Sequence, residues 1–130
     1  MIRQQYPHRI LIIDDEEAIL FAVRQYLSAF GYDVDCVRNG MDAKALLRTA
    51  DCALVIADLS LTGSRGAEGL DVILYVRQRC PRTRVILMTA YASPEVRQEA
   101  HGLGVDAILN KPVPLPDLAQ TVCGLLQSAP

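Results

Sequence analysis

The chain has 130 residues, of which 51% are hydrophobic and 22% charged; this suits one globular domain and excludes an intrinsically disordered chain. The formal net charge is −2, so the composition gives no reason to expect binding to the phosphates of a nucleic acid. The apolar runs are strand-sized, well below the ~20 residues that cross a bilayer, so we expect a cytoplasmic protein without a membrane partner.

Five short apolar runs are predicted to be β-strands. Several of them contain no polar residue, which is typical of strands buried on both faces of a parallel sheet. In chain order the predicted strands are Ile10–Ile13, Val34–Val37, Ala53–Ala57, Val85–Met88 and Val105–Leu109.

A segment with helical signals follows each predicted strand. Gly31 is predicted to cap the end of the first helix, and Ser93 followed by Pro94 predicts the start of the fourth. Strands that alternate with helices predict a parallel α/β sheet with helices on both faces. The helical segments are Ile19–Phe30, Met41–Thr49, Leu70–Arg79, the residues after Ser93, and Leu115–Leu126.

Right-handed crossovers would bring the carboxyl ends of all these strands to one edge of the sheet. Ligands bind outside this edge in open α/β sheets, so the residues that directly follow the strands are the first candidates for function. The polar residues at these places are Asp14, Asp15, Asp58, Thr89 and Lys111.

The chemistry of these residue types is mutually consistent. Carboxylates crowded at one edge repel one another unless a cation lies among them, and Mg²⁺ is the usual cation where a phosphate shares the site. An aspartate can also act as the nucleophile toward a phosphoryl group and form an acyl phosphate. The ammonium of Lys111 and the hydroxyl of Thr89 can then bind the phosphoryl oxygens.

Taken singly, each of these residues has an ordinary structural explanation. Asp14 and Asp15 suit the N-cap and first turn of a helix, Asp58 suits a loop after a strand, and Lys111 suits a solvated surface. Their joint placement at one edge is what favours a functional site.

Four short motifs at these places make the chain resemble a response-regulator receiver domain of two-component signalling. The resemblance covers nearly the whole chain, so residues 1–130 are interpreted as one receiver domain. It implies a flavodoxin-like (βα)5 fold, doubly wound, with a five-stranded parallel sheet of order 2-1-3-4-5. The motifs are Leu11-Ile-Ile-Asp-Asp-Glu16, Ala57-Asp-Leu-Ser-Leu61, Leu87-Met-Thr-Ala90 and Asn110-Lys-Pro112.

The resemblance implies a phosphoacceptor and a metal site. Asp58 would accept a phosphoryl group from a sensor histidine kinase or a histidine phosphotransfer protein. Mg²⁺ would be held by Asp14, Asp15, Asp58 and the backbone carbonyl of Ser60.

The resemblance also implies how the signal is produced. Thr89 would be the switch hydroxyl, Lys111 would contact the phosphoryl group, and the Lys111–Pro112 bond is expected to be cis. Such a domain assists its own phosphorylation and slow dephosphorylation but is not an enzyme with a released product. The fourth helix, fifth strand and fifth helix would form the face for a homodimer or a downstream effector, with no direct nucleic acid binding by this domain.

The sequence departs from the family pattern in the loop and at the switch. The stretch Thr62–Gly69 is a few residues longer than the usual loop and lacks the usual proline. Ile108 stands where the family often has an aromatic, so we expect a small side-chain rearrangement, with output transmitted mainly by the backbone of Ala90–Leu103. Tyr91 occupies a position at which the family varies its dephosphorylation rate.

Three other functions fit parts of the sequence. A Mg²⁺-dependent phosphatase with Asp58 as nucleophile would need a second acid two residues later, where Ser60 stands. An FMN-binding protein of the same fold class would need a hydroxyl-rich phosphate loop after the first strand. A degenerate receiver that acts as a constitutive interaction module stays open if the long loop distorts the site.

The remaining polar and sulfur-bearing residues are interpreted as structural. The four cysteines lack the spacing of metal ligands and are predicted to be reduced thiols that pack as small apolar residues. A basic cluster near the opposite end of the sheet is predicted to form a solvated face; it consists of Arg77, Arg79, Arg82 and Arg84.

Overall fold

The computed structural model describes residues 8–58 and 67–127. Ser60 and most of the long loop Thr62–Gly69 therefore lie outside the described residues. Within them, strands and helices alternate in the predicted order. The elements are β1 (Arg9–Ile13), α1 (Glu17–Ser28), β2 (Asp33–Val37), α2 (Gly40–Leu47), β3 (Leu54–Asp58), α3 (Ala67–Arg79), β4 (Arg84–Thr89), α4 (Pro94–Gly102), β5 (Ala107–Asn110) and α5 (Leu115–Gln127).

The five strands form one parallel sheet in the order β2-β1-β3-β4-β5, so the predicted flavodoxin-like strand order is confirmed. Every residue of β3 is buried, which agrees with its unbroken apolar sequence, whereas the edge strands β2 and β5 are only partly buried. Ile13 pairs with both Val37 and Ala57. This register places the residues that follow Ile13 level with the end of β3.

Alternating strand residues separate the core into one layer on each face of the sheet. One layer joins the sheet to α2, α3 and α4, and the other joins it to α1 and α5, which confirms helices on both faces. Leu11 and Ile13 point to the first layer, while Ile10 and Ile12 point to the second. Among the described residues, every helix is too short or too polar to span a bilayer.

Most helix boundaries agree with the sequence to within a few residues. Ser93 caps α4 as predicted, because its side chain accepts a hydrogen bond from the amide of Val96 at 3.2 Å. The predicted C-cap at Gly31 is wrong: Ala29 is the C-cap of α1, and Gly31 lies two residues beyond it at a φ of +94°. Helix α2 begins one residue earlier than predicted because Asn39 is its N-cap.

Strand β5 begins at Ala107 and not at Val105, because Val105 belongs to the turn that caps the C-terminus of α4. The amide of Gly104 donates to the carbonyl of His101 at 3.0 Å, and the amide of Val105 donates to the carbonyl of Ala100 at 3.1 Å. Gly104 adopts a φ of +79°, which completes a Schellman motif. Val105 and Ala100 then pack in the same core layer, so an apolar residue that looks strand-like closes a helix.

The prediction of a solvated basic face is wrong for two of its arginines. Arg77 donates to the backbone carbonyls of Pro81 at 2.8 Å and Thr83 at 2.6 Å. Arg77 and Arg84 also pair with Asp106, at 3.8 Å and 3.3 Å. These partners close the α3–β4 turn against the start of β5, which gives the two side chains a structural role.

Candidate functional site

Strands β1 and β3 bring three carboxylates together at the carboxyl edge of the sheet. Asp14 and Asp15 directly follow β1, and Asp58 is the last residue of β3. One carboxylate oxygen from each lies within 4.8 Å of the other two. Asp14 is fully buried and Asp58 is 4% exposed, while Asp15 is half-buried. A compact set of carboxylate oxygens is the donor set of a hard divalent cation, so these residues fit Mg²⁺.

Lys111 reaches into this acid cluster from the end of β5. Its Nζ donates to Asp14 Oδ2 at 2.8 Å and to Asp58 Oδ2 at 3.2 Å, and lies 3.5 Å from Glu16 Oε1. Burial alone lowers the pKa of Lys111, but the hydrogen bonds and charges of Asp14 and Asp58 outweigh it and raise that pKa above its ordinary value. The ammonium therefore stays charged and compensates part of the negative charge. The Lys111–Pro112 bond is cis, as predicted.

The backbone around Asp14 determines the direction of its carboxylate. Asp14 Oδ1 accepts a hydrogen bond from the amide of Glu16 at 2.9 Å, while Oδ2 is bound by Lys111. The amide of Asp14 donates to the carbonyl of Val37 at 3.2 Å, which ties the end of β1 to the end of β2. Asp14 is thus held from both its backbone and its side chain.

Thr89 is the fully buried last residue of β4, and its hydroxyl is bonded to the loop that follows. Thr89 Oγ1 donates to the carbonyl of Tyr91 at 2.8 Å and accepts from the amide of Tyr91 at 3.1 Å. A hydroxyl has one proton to donate. To donate to a phosphoryl oxygen, Thr89 would therefore have to release the Tyr91 carbonyl. The hydroxyl and the loop are mechanically linked by this contact.

Ile108 lies in β5 opposite Leu87 of β4 and packs, partly buried, against the core layer of α2, α3 and α4. Although Ile108 lies only three residues before Lys111 in the chain, its side chain packs against the core and not in the acid cluster. Tyr91, by contrast, is 74% exposed on the loop after β4.

Arg38 is a residue that the sequence reasoning missed. It directly follows β2, and its Nη2 donates to the backbone carbonyl of Asp15 at 3.2 Å. Its Nη1 lies 3.5 Å from Glu17 Oε2. The signal in the sequence is its place directly after a predicted strand, at the same edge of the sheet as the acids.

Comparison with known protein families gives a consistent result. Residues 10–123 match the family model of the response regulator receiver domain. The chain is 34% identical over 119 residues to the transcriptional regulatory protein QseB of Escherichia coli O157:H7, covering 92% of this chain and 53% of QseB. It is 33% identical over 119 residues to the response regulator protein PilR of Pseudomonas aeruginosa, covering 92% of this chain and 26% of PilR. The chain thus spans about half or less of the length of these relatives.

Solved structures show the same similarity. A CheY-like response regulator receiver domain protein from Methanospirillum hungatei JF-1 superposes with a TM-score of 0.87 at 30% identity, covering 93% of this chain and 94% of that one. A response regulator protein from Burkholderia pseudomallei superposes with a TM-score of 0.80 at 26% identity, covering 93% of this chain and 67% of that one. That crystal structure contains a phosphorylated aspartic acid, a calcium ion and citrate.

Proposed function

The chain belongs to the response-regulator receiver family, and from this premise we propose that it is a phosphorylation-dependent signalling switch with Asp58 as phosphoacceptor. The observation on which the proposal rests is the place of the Lys111 ammonium, 2.8 Å from Asp14 and 3.2 Å from Asp58 in a nearly buried acid cluster. A positive charge among carboxylates at the carboxyl edge of a parallel sheet suits the binding of a phosphoryl group.

In the proposed reaction, a carboxylate oxygen of Asp58 attacks the phosphorus atom of a phosphohistidine. The new P–O bond forms as the P–N bond breaks, and the imidazole of the donor leaves and takes up a proton. The donor would be a sensor histidine kinase or a histidine phosphotransfer protein. Lys111 lies close enough to the acceptor oxygens to bind the transferred group, so the domain would assist its own phosphorylation.

Asp14, Asp15 and Asp58 would hold Mg²⁺, together with the backbone carbonyl of Ser60. When bound, the ion supplies positive charge that neutralises the acids and the phosphoryl oxygens. The three carboxylate oxygens within 4.8 Å of one another support this ligand set. The phosphorylated aspartic acid and calcium ion in the Burkholderia pseudomallei relative are consistent with it.

Output would follow from the link between Thr89 and the loop after β4. A phosphoryl group on Asp58 brings strong acceptor oxygens, and Thr89 would leave the Tyr91 carbonyl to donate to them. The backbone of Ala90–Leu103 would move with it. Because Ile108 packs in the core, we expect its side chain to move little.

Partner binding would use the face formed by α4, β5 and α5. A downstream effector or a second copy of the chain would bind there after phosphorylation, with no direct nucleic acid binding by this domain. We further propose that residues 1–130 act as one receiver domain in the cytoplasm.

Intact-mass measurement tests the phosphoacceptor. A small phosphodonor such as phosphoramidate, supplied with Mg²⁺, should add one phosphoryl group to the wild type and none to Asp58→Asn. The matched control is Asp51→Asn, an exposed aspartate before β3 at the opposite edge of the sheet, which should be phosphorylated like the wild type. A phosphorylated Asp58→Asn protein would refute the assignment. A wild type that gains no phosphoryl group would favour the constitutive interaction module.

A further inference from the structure

We infer that Arg38 is a positioning residue of the acid cluster: its guanidinium holds the loop between β1 and α1, and so places the carboxylate of Asp15 for a divalent cation. The inference rests on the proposed function, because it concerns the same Mg²⁺ site. Arg38 itself lies outside the proposed ligand set.

Two successive contacts join the end of β2 to the loop after β1. The carbonyl of Val37, the last residue of β2, accepts from the amide of Asp14 at 3.2 Å. The next residue, Arg38, donates from Nη2 to the carbonyl of Asp15 at 3.2 Å. The first contact continues the sheet by one residue, and the second extends the tie beyond the point where regular pairing ends.

The three carboxylates differ in what holds them. Asp58 lies within β3, where strand pairing determines its backbone. Asp14 is fully buried and bound by Lys111 and by the amide of Glu16. Asp15 is half-buried on the loop, where Arg38 binds its backbone carbonyl. The backbone of Asp15 thus receives a contact from a side chain that directly follows β2, a different strand from the one before Asp15.

The backbone on both sides of Arg38 is fixed by secondary structure. Its neighbour Val37 is paired within the sheet, and its other neighbour, Asn39, is the N-cap of α2. The second arm of the guanidinium lies 3.5 Å from Glu17 Oε2 at the start of α1. A planar guanidinium can contact two acceptors at once, which the single ammonium of lysine does less well.

Simple electrostatics predicts the opposite effect on metal binding. If Arg38 were only a positive charge near the acids, its removal would relieve the repulsion between the guanidinium and the Mg²⁺ ion and would strengthen Mg²⁺ binding. If Arg38 positions Asp15, its removal loosens one ligand and weakens Mg²⁺ binding. The direction of the change therefore separates the two roles.

Calorimetric titration with Mg²⁺ measures this direction. We expect Arg38→Gln to weaken Mg²⁺ binding by about three- to tenfold, below the roughly 10- to 100-fold of buried outer-shell partners, because Arg38 is more than half exposed. Arg38→Lys should lie between Arg38→Gln and the wild type. Glu17→Gln keeps the contact with Asp15 and should change the affinity by less than about twofold.

Arg48→Gln is the control for net charge. Arg48 is exposed and follows Leu47 at the far end of α2, so its replacement removes the same charge at a distance from the site. A second measurement avoids the metal: amide hydrogen exchange at Glu16 should be faster in metal-free Arg38→Gln than in Arg48→Gln. Urea unfolding should show that both variants remain folded.

An unchanged or tighter Mg²⁺ affinity in Arg38→Gln would overturn the inference, provided that the wild type binds Mg²⁺. Unchanged exchange at Glu16 would overturn it as well. If the wild type itself does not bind Mg²⁺, the proposed function fails, and the metal-free exchange still reports whether Arg38 holds the loop.

Discussion

Replacing Lys111 with methionine should strongly destabilise the metal-free domain. The side chain of Lys111 is 15% exposed, and its two nearest carboxylates, Asp14 and Asp58, have side chains only 0% and 5% exposed. Methionine fills a similar volume but leaves these carboxylates without their ammonium partner. Breaking a buried ion pair by removal of one partner costs about 3–5 kcal/mol. We expect a loss near 3 kcal/mol, since Lys111 keeps some contact with solvent.

The assay is urea unfolding at neutral pH without divalent ions. Lys44→Met is the matched control, because Lys44 pairs with Asp71 at the surface, with side chains 30% and 56% exposed. This pair should contribute less than about 1 kcal/mol. If Lys111→Met lowers the free energy of unfolding no more than Lys44→Met does, the reasoning is refuted.

A further condition tests the cause of the loss. Added Mg²⁺ should recover part of the loss in Lys111→Met, because the ion would replace the missing positive charge. A deficit that is independent of Mg²⁺ would indicate lost packing and not lost charge.

Three other predictions follow from the described contacts. Asp15→Asn should weaken Mg²⁺ binding in a calorimetric titration without lowering the free energy of unfolding, since it relieves repulsion among the acids. Burial and the bond to the Cys123 thiol raise the pKa of Tyr32 to about 12. The contribution of Tyr32 to the free energy of unfolding should therefore be fully present below about pH 10 and be lost as the pH rises through about 12. Tyr32→Phe should reduce this loss in alkaline unfolding experiments. Beryllofluoride with Mg²⁺ should shift NMR signals across Ala90–Leu103 more than at Ile108, and the reverse pattern would contradict the proposed output.

The sheet could be predicted because its central strands satisfy a simple rule. Strands buried on both faces, such as β3, have to be apolar throughout, and this pattern is visible without a structure. The acids and Lys111 were found for a related reason, since topology alone places the residues after parallel strands at one edge. The N-cap at Ser93 could also be predicted, because serine followed by proline is a local signal for the start of a helix.

What could not be predicted depends on contacts between distant residues. Val105 has the composition of a strand residue, yet the turn at Gly104 places it at the end of α4. Arg77 looks like a surface residue, but Asp106 lies beside it in space. The bond from Arg38 to Asp15 likewise joins residues that follow two different strands. Periodicity reports which face a residue occupies, not which distant partner it contacts.

Locating the phosphoryl group within the chain tests the central claim most directly. Borohydride reduces an acyl phosphate of aspartate to homoserine, which marks the acceptor permanently. The tryptic peptide from residue 49 to 65 contains both Asp51 and Asp58, and fragment masses distinguish the two. After treatment with a phosphodonor and Mg²⁺, we predict homoserine at position 58 and aspartate at position 51. Conversion at Asp51 or Asp14, or no conversion in the phosphorylated protein, would contradict the account.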